Sequence, residues 1–373
     1  KREDLQLVRS YKIRGAFNKM SSLSKSELRR GVVCASAGNH AQGVAHSCTL
    51  LESNGIIFMP TTTPKQKLEQ VKMFGGKYIK VVLEGDTFDD AARAALVYCE
   101  AHNLTFIHPF NDIKVIEGQA TIAKEILEQS DSFPDFVFLP VGGGGLASGV
   151  SYLLKTLSPK TKIIGVEPQG APSLTRALQA NAPIKLASID RFIDGAAVQK
   201  MGDLTFDFCK EYLDDVITVP EGAVCTTILD LYNRDAIVVE PAGALALTGA
   251  KTYSLPENAS VVVILSGSNN DITRMEEIKE RSLLNEGFKH YFLVSFPQRS
   301  GALKDFVNDI LGPKDDITFF EYAKKHNREK GPVKVGIHLN DRSDLNDLKN
   351  RMNRFGFAHE YMNDNPNAMA YFL

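Results

Sequence analysis

Three features of the sequence predict an α/β protein with two open parallel-sheet lobes, followed by a small α+β domain of ferredoxin-like order. Apolar β-rich runs alternate with helical patterns in two successive series, one from Gly31 to about Pro140 and one from Phe136 to Leu265, the signature of βαβ units on parallel sheets. The pattern then changes after about Asn285 to β-α-β-β-α-β over about 80 residues. The third feature is a set of glycine-rich and polar loops at strand ends, where open α/β sheets bind their ligands. These features divide the chain into residues 1–285, a two-lobed domain, and residues 290–373, a small tail domain.

The chain opens on the apolar run Leu5 to Val8, then Ser10-Tyr11-Lys12-Ile13-Arg14-Gly15. Ser10 is suited to cap a helix whose apolar stripe is Ile13, Ala16, Phe17 and Met20, which holds Lys12 at the first turn. A lysine at the positive end of a helix, in a site that excludes water, shifts toward the neutral amine that attacks a carbonyl to form a Schiff base. The alternative is a solvated lysine among Lys1, Arg2, Arg9 and Arg14. Three strand–helix units follow: Val32–Ala35 with His40–Leu51, Gly55–Met59 with Pro64–Phe74, and Tyr78–Val82 with Phe88–His102, punctuated by Pro60, Gly75-Gly76 and Gly85. The second series has strands at Phe136–Leu139, Lys162–Val166, Val216–Val219 and Val261–Leu265. In the tail, His290–Phe296, Ile317–Tyr322, Val333–Leu339 and Ala368–Leu373 read as strands, and Gly301–Leu311 and Asp344–Phe355 as helices.

Composition excludes several classes. The 373 residues carry 43 basic and 45 acidic side chains, a formal charge of -2, which argues against nucleic acid or an anionic membrane as partner. No apolar run reaches membrane-spanning length and no secretory signal opens the chain, so cytoplasm is the expected compartment. The five cysteines, Cys34, Cys48, Cys99, Cys209 and Cys225, are scattered without a C-x-x-C pair and read as core residues. The chain begins without methionine, directly on patterned sequence, which predicts that a segment precedes Lys1.

Three loops carry the chemistry. Gly142-Gly143-Gly144-Gly145-Leu146 sits between strand Phe136–Leu139 and helix Leu146–Leu157, where bare backbone amides and a helix N-terminus make an anion site. A phosphate suits it. The same loop satisfies G-x-G-x-x-A through Gly142, Gly144 and Ala147, with Glu167 at the next strand end, so a nicotinamide dinucleotide is a rival and a plain tight turn a third reading. Ser36-Ala37-Gly38-Asn39-His40 follows a strand and opens a helix; its amides and hydroxyl suit a carboxylate, and the Asn39 amide suits a phenolic oxygen. An ordinary helix start with a satisfied histidine would look the same. Ser266-Gly267-Ser268-Asn269-Asn270 offers a hydroxyl to a neutral ring nitrogen, although a simple glycine turn also accounts for it. Together with Lys12, these loops fit pyridoxal phosphate better than a dinucleotide.

The motifs resemble, over essentially the whole chain, those of the biosynthetic threonine dehydratases (threonine ammonia-lyases) of pyridoxal-phosphate fold type II. The resemblance makes Lys12 the catalytic and cofactor-bearing lysine. It makes Asn39 the partner of the pyridoxal phenolic oxygen, Gly142, Gly143, Gly144, Gly145 and Leu146 the phosphate loop, and Ser266 the ring-nitrogen partner. Ser36, Ala37, Gly38, Asn39 and His40 become the substrate-carboxylate loop, and Glu240 in Glu240-Pro241-Ala242-Gly243-Ala244 takes a supporting role. Two departures from related enzymes are informative. A related racemase has a second serine where this chain has Ala37, so no acid stands there to return a proton. Metal-activated relatives pair the acid at Glu167 with an aspartate where this chain has Ser173; no metal is expected, and Glu167 is assigned a structural role.

The implied reaction is deamination of L-threonine to 2-oxobutanoate and ammonia, the first committed step of isoleucine biosynthesis. The tail resembles an ACT-like regulatory domain, present once, through Phe292 to Pro297 and the Gly301 turn. This implies feedback inhibition by isoleucine, valine as a second candidate effector, and a homotetramer; effector contacts near Gly301 and Asp315-Asp316 are the loops to inspect. Rival readings are another fold type II enzyme (serine dehydratase, threonine synthase or a β-replacing synthase) and an amino-acid sensor that keeps the fold without the chemistry.

Overall fold

The computed structural model describes residues 1–323, 329–365, 369 and 372. The chain forms two compact units, Lys1–Ile272 and Thr273–Leu373. The division falls before the composition change at Asn285, because the helix Met275–Glu286 packs on the tail's first strand through Tyr291 Oη donating to Glu280 at 2.7 Å.

The first unit has two parallel sheets. Strands β1 (Val32–Ala35), β2 (Gly55–Met59), β3 (Ile79–Leu83) and β4 (Thr105–Phe106) lie in the order β3-β2-β1-β4, and β5 (Phe136–Pro140), β6 (Lys162–Pro168), β7 (Asp215–Val219) and β8 (Val261–Val263) in the order β7-β6-β5-β8. All pairings are parallel. In each sheet the chain first builds to one side of its first strand and later returns to the other. The reversal falls at β1 and at β5. Crevices open at the carboxyl ends of such strands, and the loops leaving these two strands are Ser36–Gly38 and Gly142–Gly144. Topology therefore aims both predicted binding loops before any side chain is considered.

The separate cores are built from alternating small and branched residues: Val32, Cys34, Val44 and Ile57 in the first lobe, Val137, Leu139, Leu146 and Ile163 in the second. The five cysteines are buried, as the sequence predicts. Among the elements that escape the sequence reading are β4 and the helix Ile113–Gln129, capped by Asp112 accepting from the Lys114 and Val115 amides.

The second unit is a four-stranded antiparallel sheet of β9 (Lys289–Pro297), β10 (Asp316–Tyr322), β11 (Lys330–His338) and β12 (His359–Tyr361), ordered β10-β11-β9-β12. With helices Ala302–Asp309 and Leu345–Arg354 on a core of Phe292, Phe296, Phe306 and Met352, this is the predicted ferredoxin-like order. Among the described residues the last strand is His359–Tyr361. The expected strand Ala368–Leu373 lies outside the described residues except for Met369 and Phe372. Gly301 starts its helix at φ +85°, a conformation that favours glycine. Asp315 is a turn residue, accepting from Gly312 N–H at 2.7 Å and Asn340 N–H at 3.3 Å.

Candidate active site

The helix Lys12–Ser21 starts at Lys12 with Tyr11 as its N-cap and no side-chain cap. Ser10 does not serve as expected. Tyr11 N–H donates to Ser266 O at 3.1 Å, and Ser268 N–H to Arg9 O at 2.8 Å, so the segment is zipped onto the loop after β8. Ser10 is taken up in that pairing, bridged to Gly267 and fully buried, with its hydroxyl unpartnered. The pairing brings Lys12 and Ser266 together across most of the first unit's sequence. In the stripe, Ala16 and Met20 are buried as predicted, whereas Phe17 is 37% exposed. The helix is pinned from two sides by glycines: a Cβ on Gly43 would come within 3.2 Å of the Lys12 and Ile13 backbone, and one on Gly118 within 2.5 Å of Arg14 O. At Gly118 only glycine permits that approach, and at Gly43 a Cβ would demand a shift of a few tenths of an ångström in the facing backbone.

Lys12 Nζ donates to the carbonyl of Pro109 at 2.8 Å, not to a carboxylate. Burial lowers the amine to about 8, with the Glu240 carboxylate pulling the other way. Lys12 lines the cavity, partly buried and bonded to Pro109, which favours the embedded reading over the solvated one, and loss of water is the larger influence on its amine. The sign of the linkage is testable on cofactor-free protein. A lysine depressed in the native state binds its proton less well folded than unfolded, so stability rises as pH climbs from about 8 toward 10.5 and the penalty is fully present below about 8. Lys12→Met, similar in volume, should therefore be more stable than wild type at pH 7 by up to ~3 kcal/mol, an advantage that shrinks by pH 10, as read from urea midpoints.

The turn His108–Asn111 supplies the Pro109 carbonyl. His108 Nδ1 accepts from the Phe110 and Asn111 amides at 3.2 and 2.8 Å, and burial lowers the imidazole to about 4, keeping it neutral. The same turn sets Phe110 against the glycine loop, where a Cβ on Gly143 would fall 2.2 Å from its ring and one on Gly145 2.9 Å from its Cβ. Val141 N–H still bonds into the sheet, to Val166 O at 2.8 Å, and from Gly142 the chain leaves it. Gly144, at φ +86°, then starts the helix Gly145–Leu157. Gly142 to Gly145 line the cavity, while the Leu146 side chain belongs to the second-lobe core.

In the loop after β1, Ser36 Oγ accepts from Gly38 N–H at 3.2 Å, and Gly38 starts the helix Asn39–Leu51 without a side-chain cap. His40 is only half satisfied: Nε2 pairs with Ile107 O at 2.8 Å, Nδ1 has no partner, and burial lowers the ring to about 3. Asn39 Nδ2 donates to Glu240 Oε1 at 2.6 Å. Ser266 is buried, its hydroxyl 3.2 Å from Ala242 O. These groups line one cavity of about 570 Å³, a volume typical of small-molecule sites. Glu167 is not among them. Its oxygens accept from Leu174 N–H, Thr175 N–H and Thr175 Oγ1 at 2.7–2.8 Å, so it anchors the start of the helix Ser173–Ala180, which removes the ribose acid a dinucleotide would need.

Sequence reasoning missed Pro109, whose role lies in its backbone carbonyl, and Phe110, which braces the glycine loop. Asn269 was read only as part of a loop. Its Nδ2 donates to Val8 O at 3.0 Å and to Asn39 Oδ1.

Residues 1–267 match the family of pyridoxal-phosphate dependent enzymes, and residues 280–373 match the C-terminal regulatory domain of threonine dehydratase. The curated L-threonine dehydratase biosynthetic IlvA of Halalkalibacterium halodurans is 54% identical over 366 residues, covering 98% of this chain and 88% of that protein. The protein of the same name from Staphylococcus aureus is 54% identical over 370 residues with the same coverage. Among solved structures, the processed form of threonine deaminase isoform 2 from Solanum lycopersicum aligns with a TM-score of 0.72 at 44% identity, over 76% of this chain and 82% of that one. The chain belongs to the pyridoxal-phosphate dependent enzymes. Within them it belongs with the biosynthetic threonine dehydratases, the family its motifs resemble.

The residues present fit the cofactor. A partly buried amine with no carboxylate of its own, a glycine loop at a helix start, an amide and a neutral hydroxyl share one cavity, and the unpartnered His40 Nδ1 leaves polar capacity in its wall.

Proposed function

We propose that the protein deaminates L-threonine to 2-oxobutanoate and ammonia, under feedback control by isoleucine through its tail domain. One observation carries the reading: a cavity that unites Lys12, Asn39, the glycine loop and Ser266 stands in the same chain as a tail matched by the threonine dehydratase regulatory domain. Bound pyridoxal phosphate supplies an aldehyde for amine capture and a ring that withdraws electrons from the α-carbon. Lys12 would hold the cofactor and, as a free amine, would take the substrate's α-proton at Nζ, a role suited to an amine lowered to about 8. Ser36 to His40 hold the substrate carboxylate, with Ala37 offering no acid to reprotonate the opposite face. Gly142 to Leu146 hold the cofactor phosphate at the helix start. Asn39 meets the phenolic oxygen. Ser266, a hydroxyl rather than a carboxylate, leaves the ring nitrogen unprotonated.

The enzyme works in the cytoplasm as a homotetramer in this reading, with isoleucine as the effector and valine as a second ligand to test. An effector shifts the equilibrium only through differential affinity for the low-activity state. The test is keto-acid production from L-threonine with no second substrate, with and without isoleucine. The full chain should form keto acid and lose most of the rate with isoleucine, and a chain ending at Ile272 should keep the first property and lose the second. Turnover that requires a second substrate would favour a synthase, and an isoleucine response in the shortened chain would remove the tail's assigned role.

A further inference from the structure

One N–H of Asn39 is assigned to the phenolic oxygen of the cofactor, and a carboxylic acid is buried beside the same amide. Glu240 is 5% exposed, and it stands immediately before the helix Pro241–Thr252. Its Oε1 accepts from Asn39 Nδ2 at 2.6 Å, and its carboxyl also accepts from the Asn269 backbone N–H. Asn269 reaches the same amide from the other end, donating from Nδ2 to Asn39 Oδ1 while a further bond to Val8 O at 3.0 Å holds it to the segment before Lys12.

An asparagine amide has ends of nearly equal shape and opposite polarity, so its orientation is decided by its partners. The carboxylate accepts, which turns Nδ2 toward Glu240. The Asn269 amino group donates, which turns Oδ1 toward Asn269. With these bonds made, Asn39 keeps one N–H for the cavity. We propose that Glu240 and Asn269 are a positioning pair that locks the Asn39 amide as a hydrogen-bond donor toward the phenolic oxygen of the bound cofactor. The proposal rests on the reading of Asn39 as a cofactor contact. Burial, reinforced by Asp194 and opposed by Lys67, pushes Glu240 up to about 7; the lock survives protonation, because the carbonyl oxygen of the neutral acid still accepts.

A double-mutant cycle tests it, with pyridoxal phosphate titrated into cofactor-free full-length chain and binding followed by fluorescence and visible absorbance. Glu240→Ala and Asn269→Ala should each weaken binding about tenfold. In an Asn39→Ala background neither should weaken it further, because a group that acts through Asn39 has nothing left to orient. Glu240→Gln, which keeps a carbonyl acceptor, should recover most of the loss. Losses that add in the Asn39→Ala background, or single variants that bind like wild type, would overturn the proposal. Should Glu240→Ala fail to fold, the Asn269→Ala arm, which leaves the buried acid in place, completes the cycle alone. The titration needs no threonine: a wild-type chain that binds the cofactor tightly yet forms no keto acid refutes the proposed reaction and leaves the positioning pair standing, whereas one that binds no cofactor refutes both.

Discussion

Replacing Lys12 by alanine lowers keto-acid formation from L-threonine by about 10³-fold or more and abolishes the visible absorbance of the lysine-linked cofactor. The size of the effect follows from how much converges on one atom. Nζ is an amine lining the described cavity, partly withdrawn from solvent and lowered to about 8, and an amine is the group that captures an aldehyde. The variant should fold, since alanine suits a helix start and removes a desolvated charge rather than a packed apolar group. A properly folded Lys12→Ala chain with wild-type turnover would leave the cavity without its assigned chemistry.

The second large effect is expected at the glycine loop. Gly143→Ala places a methyl 2.2 Å from the Phe110 ring, and an aromatic ring fixed by the His108 turn has little room to retreat. The cost is of the order of 1–3 kcal/mol in stability. Relieving the clash pushes the loop away from the turn, so cofactor affinity should fall at least about tenfold as the phosphate loses aligned amides. Gly38→Ala is the contrast. Its Cβ meets nothing within 4 Å and its φ of -135° suits any residue, so thermal stability should stay near wild type. Equal destabilisation by the two substitutions would refute the bracing role of Phe110.

The most legible parts of the chain were those set by local chemistry. Strands β1 and β2 fall on the predicted residues, because short β-branched runs between turn signals admit few other placements. The glycine loop was legible as a strand–helix junction because four consecutive glycines stand out in the sequence. The helix Ile113–Gln129 was not, since Gly118 interrupts its interior and the Asp112 cap follows an irregular His-Pro-Phe-Asn run. Strand β4, two residues long, has no period to read. The Ser10 cap failed for a non-local reason, its pairing with Gly267. Glu240 and Asn39 lie 201 residues apart, and no local pattern announces a bond of that span. The lysine's place at a helix start could be read from its motif, but its partial burial depends on how that helix packs at Gly43 and Gly118.

Covalent mapping decides whether Lys12 is the cofactor-bearing amine of a pyridoxal-phosphate enzyme. Sodium borohydride fixes the cofactor to whichever amine carries it, and digestion followed by mass spectrometry then locates the label. The label should fall on the peptide containing Ser10-Tyr11-Lys12 and on that peptide alone. A label on another cavity lysine such as Lys67, Lys185 or Lys200, or a fully cofactor-loaded protein that takes no label, would contradict the account.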